Sequence, residues 1–325
     1  MRAKVLLTRA WPEEVEAELA RKVDLTRNEH DRPMTQAELR GALGVYDAIL
    51  PTVTDRLDAA VFDRAEIRTR FLGNYGVGVS HIDLAAAAAK GIAVTNTPDV
   101  LSDCTADLAM TLILMTARRA GEGERELRAG LWAGWRPTHL VGTKVTGATL
   151  GIIGFGRIGQ ALAARAHRGF GMKILVQNRS AVAPQVLAEV GAAQVGTVEE
   201  LLATSDFVSL HCPGGAANRH LIDAGRIAAM RPGAILVNTA RGEVVDEEAL
   251  AGALMAGAIG GAGLDVYDGE PQVRPALLAA PNTVLLPHLG SATSATRAAM
   301  GRRVIANLTA FLAGRQPGDL IGARA

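Results

Sequence analysis

Cysteine, aromatic residues and long apolar runs are scarce in this 325-residue sequence, and each scarcity excludes a class of protein. The two cysteines, Cys104 and Cys212, stand far apart and form no CxxC pair, so neither a disulfide framework nor a zinc site fits them and no metal is expected. The longest apolar candidates, such as Leu112–Met115, are short and bounded by polar residues, which excludes a membrane span. The apolar stretch behind Met1 is too short for a signal peptide, and we therefore expect a cytoplasmic protein.

An excess of either charge is also missing. The sequence has 34 basic and 33 acidic residues, spread along the chain, for a formal net charge of +1. This balance gives no sign of a polyanion-binding surface, so nucleic acid is not an expected partner. With 49% hydrophobic and 21% charged residues the composition is that of a globular protein, and the length suffices for two domains.

The part of the chain from Ala148 onward alternates short β-type runs with alanine-rich helical stretches. Strands are predicted at Ala148–Ile153, Lys173–Gln177, Phe207–Leu210, Ala234–Asn238, Gly261–Asp265 and Thr283–Leu286, and helices at Arg157–Arg168, Ala183–Val190, Thr197–Ala203, Ala224–Met230 and Asp246–Met255. Such alternation predicts a mostly parallel sheet that is covered on both faces and doubly wound through right-handed crossovers.

A second, smaller alternation precedes it. Strands are predicted at Lys4–Thr8, Asp47–Leu50, Arg70–Gly73 and Ile92–Thr95, and helices at Glu13–Ala20 and Leu84–Lys90. This part has no glycine-rich phosphate loop, so we interpret it as a separate α/β domain. The helix Asp103–Arg119 leaves it, and the last helix, Ser294–Ala313, with only a polar tail behind it, is expected to return and pack on it.

The prediction for the whole chain is therefore two Rossmann-like, doubly wound α/β domains. Residues 1–101 and 290–325 form a discontinuous domain, and residues 102–289 form an inserted domain. The motifs within them, taken in turn, predict a substrate (catalytic) domain for the first and an NAD(P)-binding domain for the second.

A GxGxxG motif occurs at Gly154, Gly156 and Gly159. It follows an apolar, β-branched strand and opens a helical pattern, which is the context that a dinucleotide-binding loop requires. The first glycine permits a tight turn, the second lets the backbone approach the pyrophosphate, and the third allows close packing of helix on strand. The free N–H groups and positive dipole of the helix N-terminus then face the phosphates.

The residues behind the second nucleotide strand bear on the choice of cofactor. An NAD site needs an acidic residue about 20 positions after the glycines to bind the ribose hydroxyls. This chain has Asn178, Arg179 and Ser180 there, and no Asp or Glu occurs between Gly159 and Glu189. Because an arginine matches the geometry of a phosphate, we expect NADPH to be preferred, with NAD possible. The alternative is that Arg179 is a solvated loop residue.

Three polar residues follow successive late strands: Arg241, Glu270 and His288. Ligands of open α/β sheets bind outside the carboxyl ends of the strands, so the three are expected in one crevice. Reduction of a 2-oxo acid needs a proton for the developing alkoxide, and His288 is suited to donate it. Glu270 would orient the imidazole and stabilise its protonated form, and Arg241 would hold the substrate carboxylate and polarise the carbonyl.

With these motifs the chain resembles the D-2-hydroxyacid dehydrogenase family, and within it the glyoxylate/hydroxypyruvate reductase branch. The resemblance covers the chain from about Leu72 to the C-terminal helix. It implies that the amides of Val77 and Gly78 hold the substrate carboxylate and that Asp265 contacts the nicotinamide carboxamide. The implied or predicted cofactor contacts are Thr105, Gly154, Phe155, Gly156, Arg157, Ile158, Gly159, Asn178, Arg179, Ser180, His211, Cys212, Pro213, Thr239, Ala240, Arg241, Asp265, His288 and Gly290, of which His211, Cys212 and Pro213 line the adenine side.

Two positions depart from the pattern of that family: Asp107 replaces the usual Glu, and Ser80 replaces a common Asp. The branch is favoured by the basic segment Asn178–Ser180 and by the segment Trp132–Pro137. The second segment lies in an arm, Gly121–Val145, that is rich in Gly and Trp and poor in secondary-structure signal. The arm is expected to embrace a second subunit in a homodimer. In the reductases that the chain resembles, a tryptophan of this arm reaches the active site of the partner, a role that falls to Trp135 here; the alternative is that it only covers the dimer contact.

The preferred interpretation is thus NADPH-dependent reduction of glyoxylate or hydroxypyruvate, small-molecule substrates, by a 2-hydroxyacid dehydrogenase. A broader D-2-hydroxyacid dehydrogenase that acts on larger 2-oxo acids is the alternative within the class. A dinucleotide-sensing binding protein is the alternative from another class, against which the complete Arg–Glu–His set argues. A formate dehydrogenase is disfavoured, because those relatives carry Gln at the position of Glu270.

Overall fold

The computed structural model describes residues 2–322 and divides into two compact units. Unit 1 comprises Met1–Leu101 with Ala292–Ala325, and unit 2 comprises Ser102–Ser291. The chain thus leaves unit 2 after Ser291, where the sequence suggested Leu289. Each unit contains one predominantly parallel sheet with helices on it, and the predicted fold class, two Rossmann-like α/β domains, is confirmed.

The sheet of unit 1 has six strands in the order β13-β5-β4-β3-β1-β2. Its strands are β1 (Lys4–Leu7), β2 (Asp24–Arg27), β3 (Ala48–Leu50), β4 (Phe71–Gly73), β5 (Ala93–Thr95) and β13 (Leu320–Ile321). All neighbours are parallel except β13, which pairs antiparallel with β5. The central strands are buried along their length, as strands with helices on both faces are.

The helices of unit 1 are α1 (Glu13–Lys22), α2 (Gln36–Ala42), α3 (Ala59–Phe62), α4 (Leu84–Ala89) and α13 (Ser294–Leu312). The expected return of the last helix is confirmed, since α13 packs on α1 and β4. Behind it, however, the tail predicted to be merely polar forms β13. It is fixed there because Asp319 receives two hydrogen bonds from Arg303, at 2.6 and 2.7 Å, and one from Asn307 Nδ2 at 2.8 Å.

The sheet of unit 2 has seven parallel strands in the order β12-β11-β10-β9-β6-β7-β8. These are β6 (Thr149–Ile153), β7 (Lys173–Gln177), β8 (Ala192–Gln194), β9 (Phe207–Leu210), β10 (Ile235–Asn238), β11 (Gly261–Leu264) and β12 (Thr283–Leu285). The helices are α5 (Ser102–Ala117), α6 (Ala120–Arg128), α7 (Arg157–Phe170), α8 (Pro184–Glu189), α9 (Val198–Thr204), α10 (Ala224–Ala228), α11 (Glu247–Met255) and α12 (Pro275–Ala279).

Alternate residues of the central strands in unit 2 lie in two separate cores, one on each face of the sheet. Ile235 and Val237 of β10 pack with α5 and α7, whereas Leu236 between them packs with α9 and α11 on the other face. Because successive side chains of a strand point to opposite faces, an unbroken apolar run is what a doubly covered sheet requires. No helix within residues 2–322 combines the length and the apolar character of a bilayer-crossing segment.

The prediction that the arm is poor in secondary structure is wrong for its first part, because α6 begins at Ala120 and continues to Arg128. Its glycines weaken a helix, but ion pairs of helical spacing offset this: Arg119 binds Glu122 three residues on, and Arg128 binds Glu124 four residues back. Behind α6 the chain is irregular as far as β6. This loop turns back on the helix where His139 Nε2 and Glu126 Oε2 lie 2.8 Å apart.

Candidate active site

Six loops with chemistry-bearing residues lie at one edge of the sheet of unit 2, because the carboxyl ends of parallel strands meet there. The glycine loop follows β6, Asn178 follows β7, His211 follows β9, Arg241 follows β10, Asp265 and Glu270 follow β11, and His288 follows β12. The sheet itself therefore gathers the predicted residues of this unit in one row.

The glycine loop has the backbone that each of its glycines was predicted to allow. Gly154 has a φ of +92°, and a Cβ there would lie 2.6 Å from the backbone nitrogen of Cys212. A Cβ on Gly159 would lie 2.5 Å from the carbonyl oxygen of Gly154. Side chains at either position would push the loop away from the adjoining strand or helix.

The middle glycine is different, and it tests whether a dinucleotide fits. Gly156 is the N-cap of α7, and a Cβ on it would meet nothing within 4 Å. The space in front of this helix N-terminus is therefore free, and the backbone alone forms its wall. The exposed Arg157 and the half-buried Ile158 continue the helix from there. These residues fit the pyrophosphate of NAD(P), which when bound would supply the hydride of a reduction.

Asn178 ties the loop behind β7 to the glycine loop. Its Oδ1 accepts a hydrogen bond from the backbone N–H of Phe155 at 3.2 Å, and its Nδ2 donates to the hydroxyl and carbonyl oxygens of Ser180 at 3.1 and 3.2 Å. Phe155 itself is buried, so its side chain belongs to the core. Two of the predicted cofactor contacts, Asn178 and the Phe155 amide, are thus hydrogen-bonded to each other.

Arg179 and Ser180 are exposed at the same strand end. No hydrogen bond or ion pair of Arg179 is found within residues 2–322. Its positive charge acts on Cys212, since burial raises the pKa of that thiol to about 11 while a backbone hydrogen bond and Arg179 lower it. The end of β7 therefore presents a cation beside the loop behind β9.

The segment behind β9 meets the glycine loop through its backbone rather than its side chains. The His211 ring nitrogen Nε2 lies 2.9 Å from the hydroxyl of Ser209, and burial lowers the pKa of His211 to about 4. The imidazole is thus neutral at pH 7. The carbonyl of Pro213 is held by the amide side chain of Asn218 at 2.8 Å.

Glu270 and His288 form the pair that the sequence predicted. Glu270 Oε2 lies 2.8 Å from His288 Nδ1, and Glu270 Oε1 accepts the backbone N–H of Tyr267 at 3.0 Å. Burial by itself would raise the pKa of Glu270, but the hydrogen bond and charge of His288, the backbone hydrogen bond of Tyr267 and the charge of Arg241 together leave that pKa below its usual value. Glu270 is therefore an anion at neutral pH, and it holds the imidazole by Nδ1, with Nε2 on the other side of the ring.

Arg241 follows β10 and is positioned by Asn238. The Asn238 side chain donates to the Arg241 carbonyl at 2.8 Å and accepts the N–H of Ala240 at 2.9 Å. Burial lowers the pKa of Arg241, whereas the negative charges of Glu270 and Glu243 raise it, so both carboxylates act on its guanidinium. Thr239, between Asn238 and Ala240, is buried. The sequence carried a signal for Asn238, since Asn often binds the backbone two residues on in a turn.

Asp265 is buried, and its carboxylate accepts two backbone hydrogen bonds, from Leu289 at 2.6 Å and from Gly290 at 2.8 Å. Burial raises the pKa of Asp265 even so. The Thr105 hydroxyl donates to the Gly290 carbonyl at 3.1 Å, and the backbone N–H of His288 donates to the Asp265 carbonyl at 2.9 Å. Whatever Asp265 contacts in a cofactor, it also positions the loop that carries His288, a role that the sequence did not reveal.

Gly242 joins two of these loops by direct backbone contact. A Cβ on Gly242 would lie 1.8 Å from the carbonyl carbon of Tyr267 and 2.2 Å from the nitrogen of Asp268. The backbone beside Arg241 therefore touches the loop that leads to Glu270. The sequence gives no sign of this contact, because Tyr267 and Asp268 lie far from Gly242 along the chain.

The remaining predicted residues lie elsewhere. Val77 and Gly78 are half-buried in the loop behind β4 of unit 1. Trp135 lies in the irregular part of the arm with 82% of its surface exposed. Their predicted contacts with substrate, and with the partner subunit in the case of Trp135, stay predictions.

Comparison with known proteins agrees with this geometry. Residues 110–290 match the family described as "D-isomer specific 2-hydroxyacid dehydrogenase, NAD binding domain". The chain is 45% identical to a glyoxylate reductase of Thermococcus kodakarensis, with 99% of this chain and 96% of the relative covered. It is 39% identical to a glycerate dehydrogenase of Hyphomicrobium methylovorum, with 92% and 93% covered.

A solved structure extends the likeness to three dimensions. The NADPH-dependent glyoxylate/hydroxypyruvate reductase of Sinorhizobium meliloti, in complex with NADP and malonate, superposes with a TM-score of 0.88 at 33% identity, and 100% of each chain is covered. The chain therefore belongs to the D-isomer specific 2-hydroxyacid dehydrogenases, oxidoreductases that act on the CH–OH group of 2-hydroxy acids.

Proposed function

We propose that this protein reduces glyoxylate or hydroxypyruvate to glycolate or glycerate, with NADPH as the preferred cofactor. The observation that carries the proposal is the 2.8 Å contact between His288 Nδ1 and Glu270 Oε2, at the edge of the sheet where the glycine loop also lies. The names of the relatives supply the substrates, since they are a glyoxylate reductase, a glycerate dehydrogenase and a glyoxylate/hydroxypyruvate reductase.

His288 would serve as the general acid. Because Glu270 engages Nδ1, Nε2 is the nitrogen that would face the substrate oxygen. As the C2 carbonyl carbon gains a hydride, its oxygen takes the proton from Nε2 and becomes the hydroxyl. The neutral imidazole then recovers a proton from solvent, and the reverse reaction uses it as the base.

Arg241 would bind the substrate and stabilise the charge on its oxygen. A guanidinium that is largely removed from water and held by a fixed loop needs little rearrangement as the carbonyl oxygen becomes negative. The amides of Val77 and Gly78 would take the carboxylate of the substrate. The small size of glyoxylate and hydroxypyruvate leaves few other groups to bind, so these contacts would set the orientation of C2.

The cofactor preference rests on the end of β7. The exposed Arg179, which pairs with no residue of the described range 2–322, and the neighbouring Ser180 stand where an acidic residue would bind the ribose of NAD. A guanidinium binds a 2′-phosphate with charge-assisted hydrogen bonds. The remaining predicted contacts, from Thr105 and Asp265 to Thr239, Ala240 and Gly290, would line the rest of the dinucleotide.

We also propose a cytoplasmic homodimer. The arm carries a group of exposed apolar side chains, among which Leu131 is 71% and Trp135 82% exposed, and such patches on single chains mark contact surfaces. A second copy of the chain would cover them, and Trp135 would then narrow the partner's substrate pocket.

A turnover screen tests the proposal. Purified protein is offered glyoxylate, hydroxypyruvate, pyruvate and longer 2-oxo acids, each with NADPH and with NADH, and kcat/KM is measured for each pair. We expect the highest values for glyoxylate or hydroxypyruvate with NADPH. Faster turnover of longer 2-oxo acids would support the broader dehydrogenase instead, and no turnover of any 2-oxo acid would refute the proposed function.

A further inference from the structure

The loop behind β4 has three backbone carbonyl groups that are all bound by buried or partly buried asparagine side chains. The Nδ2 atom of Asn74, a residue with no exposed surface, donates to the carbonyl oxygens of Gly76 and Gly78, both at 3.0 Å. The Nδ2 atom of Asn96 donates to the carbonyl oxygen of Val77 at 2.8 Å. Three successive carbonyls are therefore drawn toward the protein by two side chains.

This arrangement dictates where the amides of the loop point. In a trans peptide the C=O and N–H bonds of one plane point in opposite directions. Fixing the carbonyl of Gly76 inward turns the N–H of Val77 outward, and fixing the carbonyl of Val77 does the same to the N–H of Gly78. Neither N–H has a hydrogen-bond acceptor among residues 2–322, although half-buried amides are normally paired. Two adjacent amides are thus held ready for an acceptor from outside the chain.

The orientation of Asn74 is itself fixed. Its Oδ1 lies 3.0 Å from His81 Nε2, so a donor is already assigned to the oxygen, and only Nδ2 can serve the two carbonyls. The Gly76 carbonyl receives a second hydrogen bond from the backbone of Thr97 at 3.1 Å. The inward position of these carbonyls is therefore fixed by more than one hydrogen bond.

We infer that Asn74 and Asn96 are positioning residues that make the Val77–Gly78 backbone a carboxylate-binding cradle. They touch no substrate, and they act by holding carbonyl oxygens, which would repel a carboxylate, away from its binding position. The inference deepens the proposed function, on which it rests for the identity of the carboxylate as that of a small 2-oxo acid. It adds that Asn74 and Asn96 hold the two amides in position before the substrate binds.

Asn74→Asp is the sharpest test, because it keeps the shape of the side chain and removes its donor. A carboxylate at this position still accepts from His81 but repels the carbonyls of Gly76 and Gly78, which would rotate and turn the amides inward. Asn96→Ala removes the bond to Val77 alone and serves as the second variant if the first fails to fold. Asn282→Asp is the matched control, since Asn282 Nδ2 donates to the Gly260 carbonyl at the amino end of β11.

The probe is oxamate, a non-reducible analogue of glyoxylate, titrated by calorimetry into each protein saturated with NADPH. We expect oxamate to bind roughly 10- to 100-fold more weakly to Asn74→Asp and about 5- to 10-fold more weakly to Asn96→Ala, as the loss of hydrogen bonds to a charged group predicts. NADPH affinity and Tm should stay near those of Asn282→Asp. In turnover of glyoxylate, KM should rise more than kcat falls.

The outcomes separate this inference from the proposed function. Unchanged oxamate affinity in both folded variants overturns the inference, even where the wild type reduces glyoxylate normally. Failure of the wild-type NADPH complex to bind oxamate overturns it as well. If the wild type binds oxamate but reduces no 2-oxo acid, the proposed function fails, and a loss of oxamate binding in the variants still supports the cradle.

Discussion

Gly242 couples two parts of the catalytic apparatus at the scale of single atoms. A methyl group there would lie 1.8 Å from the carbonyl carbon of Tyr267, so Gly242→Ala must separate the loop of Arg241 from the loop of Glu270. We expect kcat for 2-oxo acid reduction to fall by roughly 10- to 100-fold, since a displacement of about 1 Å in a catalytic group costs that much. NADPH affinity should fall less than kcat, because the glycine loop, which would hold the pyrophosphate, lies on another strand.

Gly252→Ala provides the control for this substitution. A Cβ on Gly252, inside α11, meets nothing within 4 Å, so the change should leave kcat unaltered. Equal activity of Gly242→Ala and Gly252→Ala would show that the contact at Gly242 does not position Arg241.

His211 makes the stability of the protein depend on pH in a defined direction. Burial lowers the pKa of His211 from its ordinary value of 6.5 to about 4, so between these pH values the unfolded chain binds a proton that the folded chain does not. This contribution is complete above the unfolded value and is lost as the pH falls toward the folded one, at up to about 1.4 kcal/mol per pH unit. The variant His211→Gln has no titrating group at this position, so its stability lacks this pH-dependent loss.

The measurement is the difference in Tm between wild type and His211→Gln from pH 7.5 down to pH 4.5. We expect the variant to be the less stable protein at the upper end and the difference to narrow steadily as the pH falls. His30→Gln, at an exposed position, controls for the general loss of an imidazole. A difference for His211→Gln that stays constant with pH would contradict the burial of a neutral ring.

At the scale of elements, we predict that the end of β7 determines the choice of cofactor. Arg179→Ala should remove most of a preference for NADPH over NADH, which a hydrogen bond between charged groups sets at roughly 10- to 150-fold. The effect should lie chiefly in KM for NADPH, because a 2′-phosphate is far from the reacting carbon. Asn178→Asp should move the preference toward NADH, since a carboxylate there keeps the bond to Phe155 and repels the phosphate.

Steady-state kinetics with both cofactors measure this preference. Arg168→Ala is the matched control, because Arg168 is also exposed but lies in the last turn of α7, at the other end of the helix from the glycine loop. Equal kcat/KM for NADPH and NADH in the wild type, or a loss of preference in Arg168→Ala of the same size, would contradict the role of Arg179.

The burial of an element decides how easily it could be predicted from the sequence. Strands β6, β7, β9 and β10 are mostly apolar because both their faces are covered, and they lie within a residue of their predicted bounds. Strand β2 is mostly exposed and reads Asp24 to Arg27, a charged pattern that gives no strand signal at the edge of a sheet. Helix α2 was missed as well, although Thr35 and Glu38 form a complete capping box that marks its start.

The candidate site divides in the same way. Arg241, Glu270 and His288 could be found because each is a reactive side chain just behind a predicted strand, where parallel topology brings such residues together. Asn74, Gly242 and the positioning role of Asp265 could not, because they depend on backbone groups whose partners are set by the fold of distant segments. Reactive side chains can therefore be identified from the sequence more easily than side chains that position a peptide group.

At the scale of the whole molecule, the exposed arm predicts association. We expect light scattering at micromolar concentration to give the mass of a dimer, because single chains rarely leave side chains such as Trp135 and Leu131 uncovered. If Trp135 also lines the partner's pocket, Trp135→Ala should accept larger 2-oxo acids. Trp132→Ala is its control, since Trp132 shares the arm with 53% of its surface exposed. A monomeric mass would contradict the dimer, and an unchanged substrate profile would leave Trp135 as packing only.

The most direct test of the central claim is the turnover of glyoxylate by the wild type and by His288→Ala at saturating NADPH, with NADPH affinity measured separately by fluorescence titration. The account predicts an active wild type, a kcat that falls by about 10²–10⁴-fold in the variant, as expected for loss of a general acid, and an NADPH affinity that is nearly the same in both. Near-normal turnover by His288→Ala would contradict the mechanism proposed for the His288–Glu270 pair.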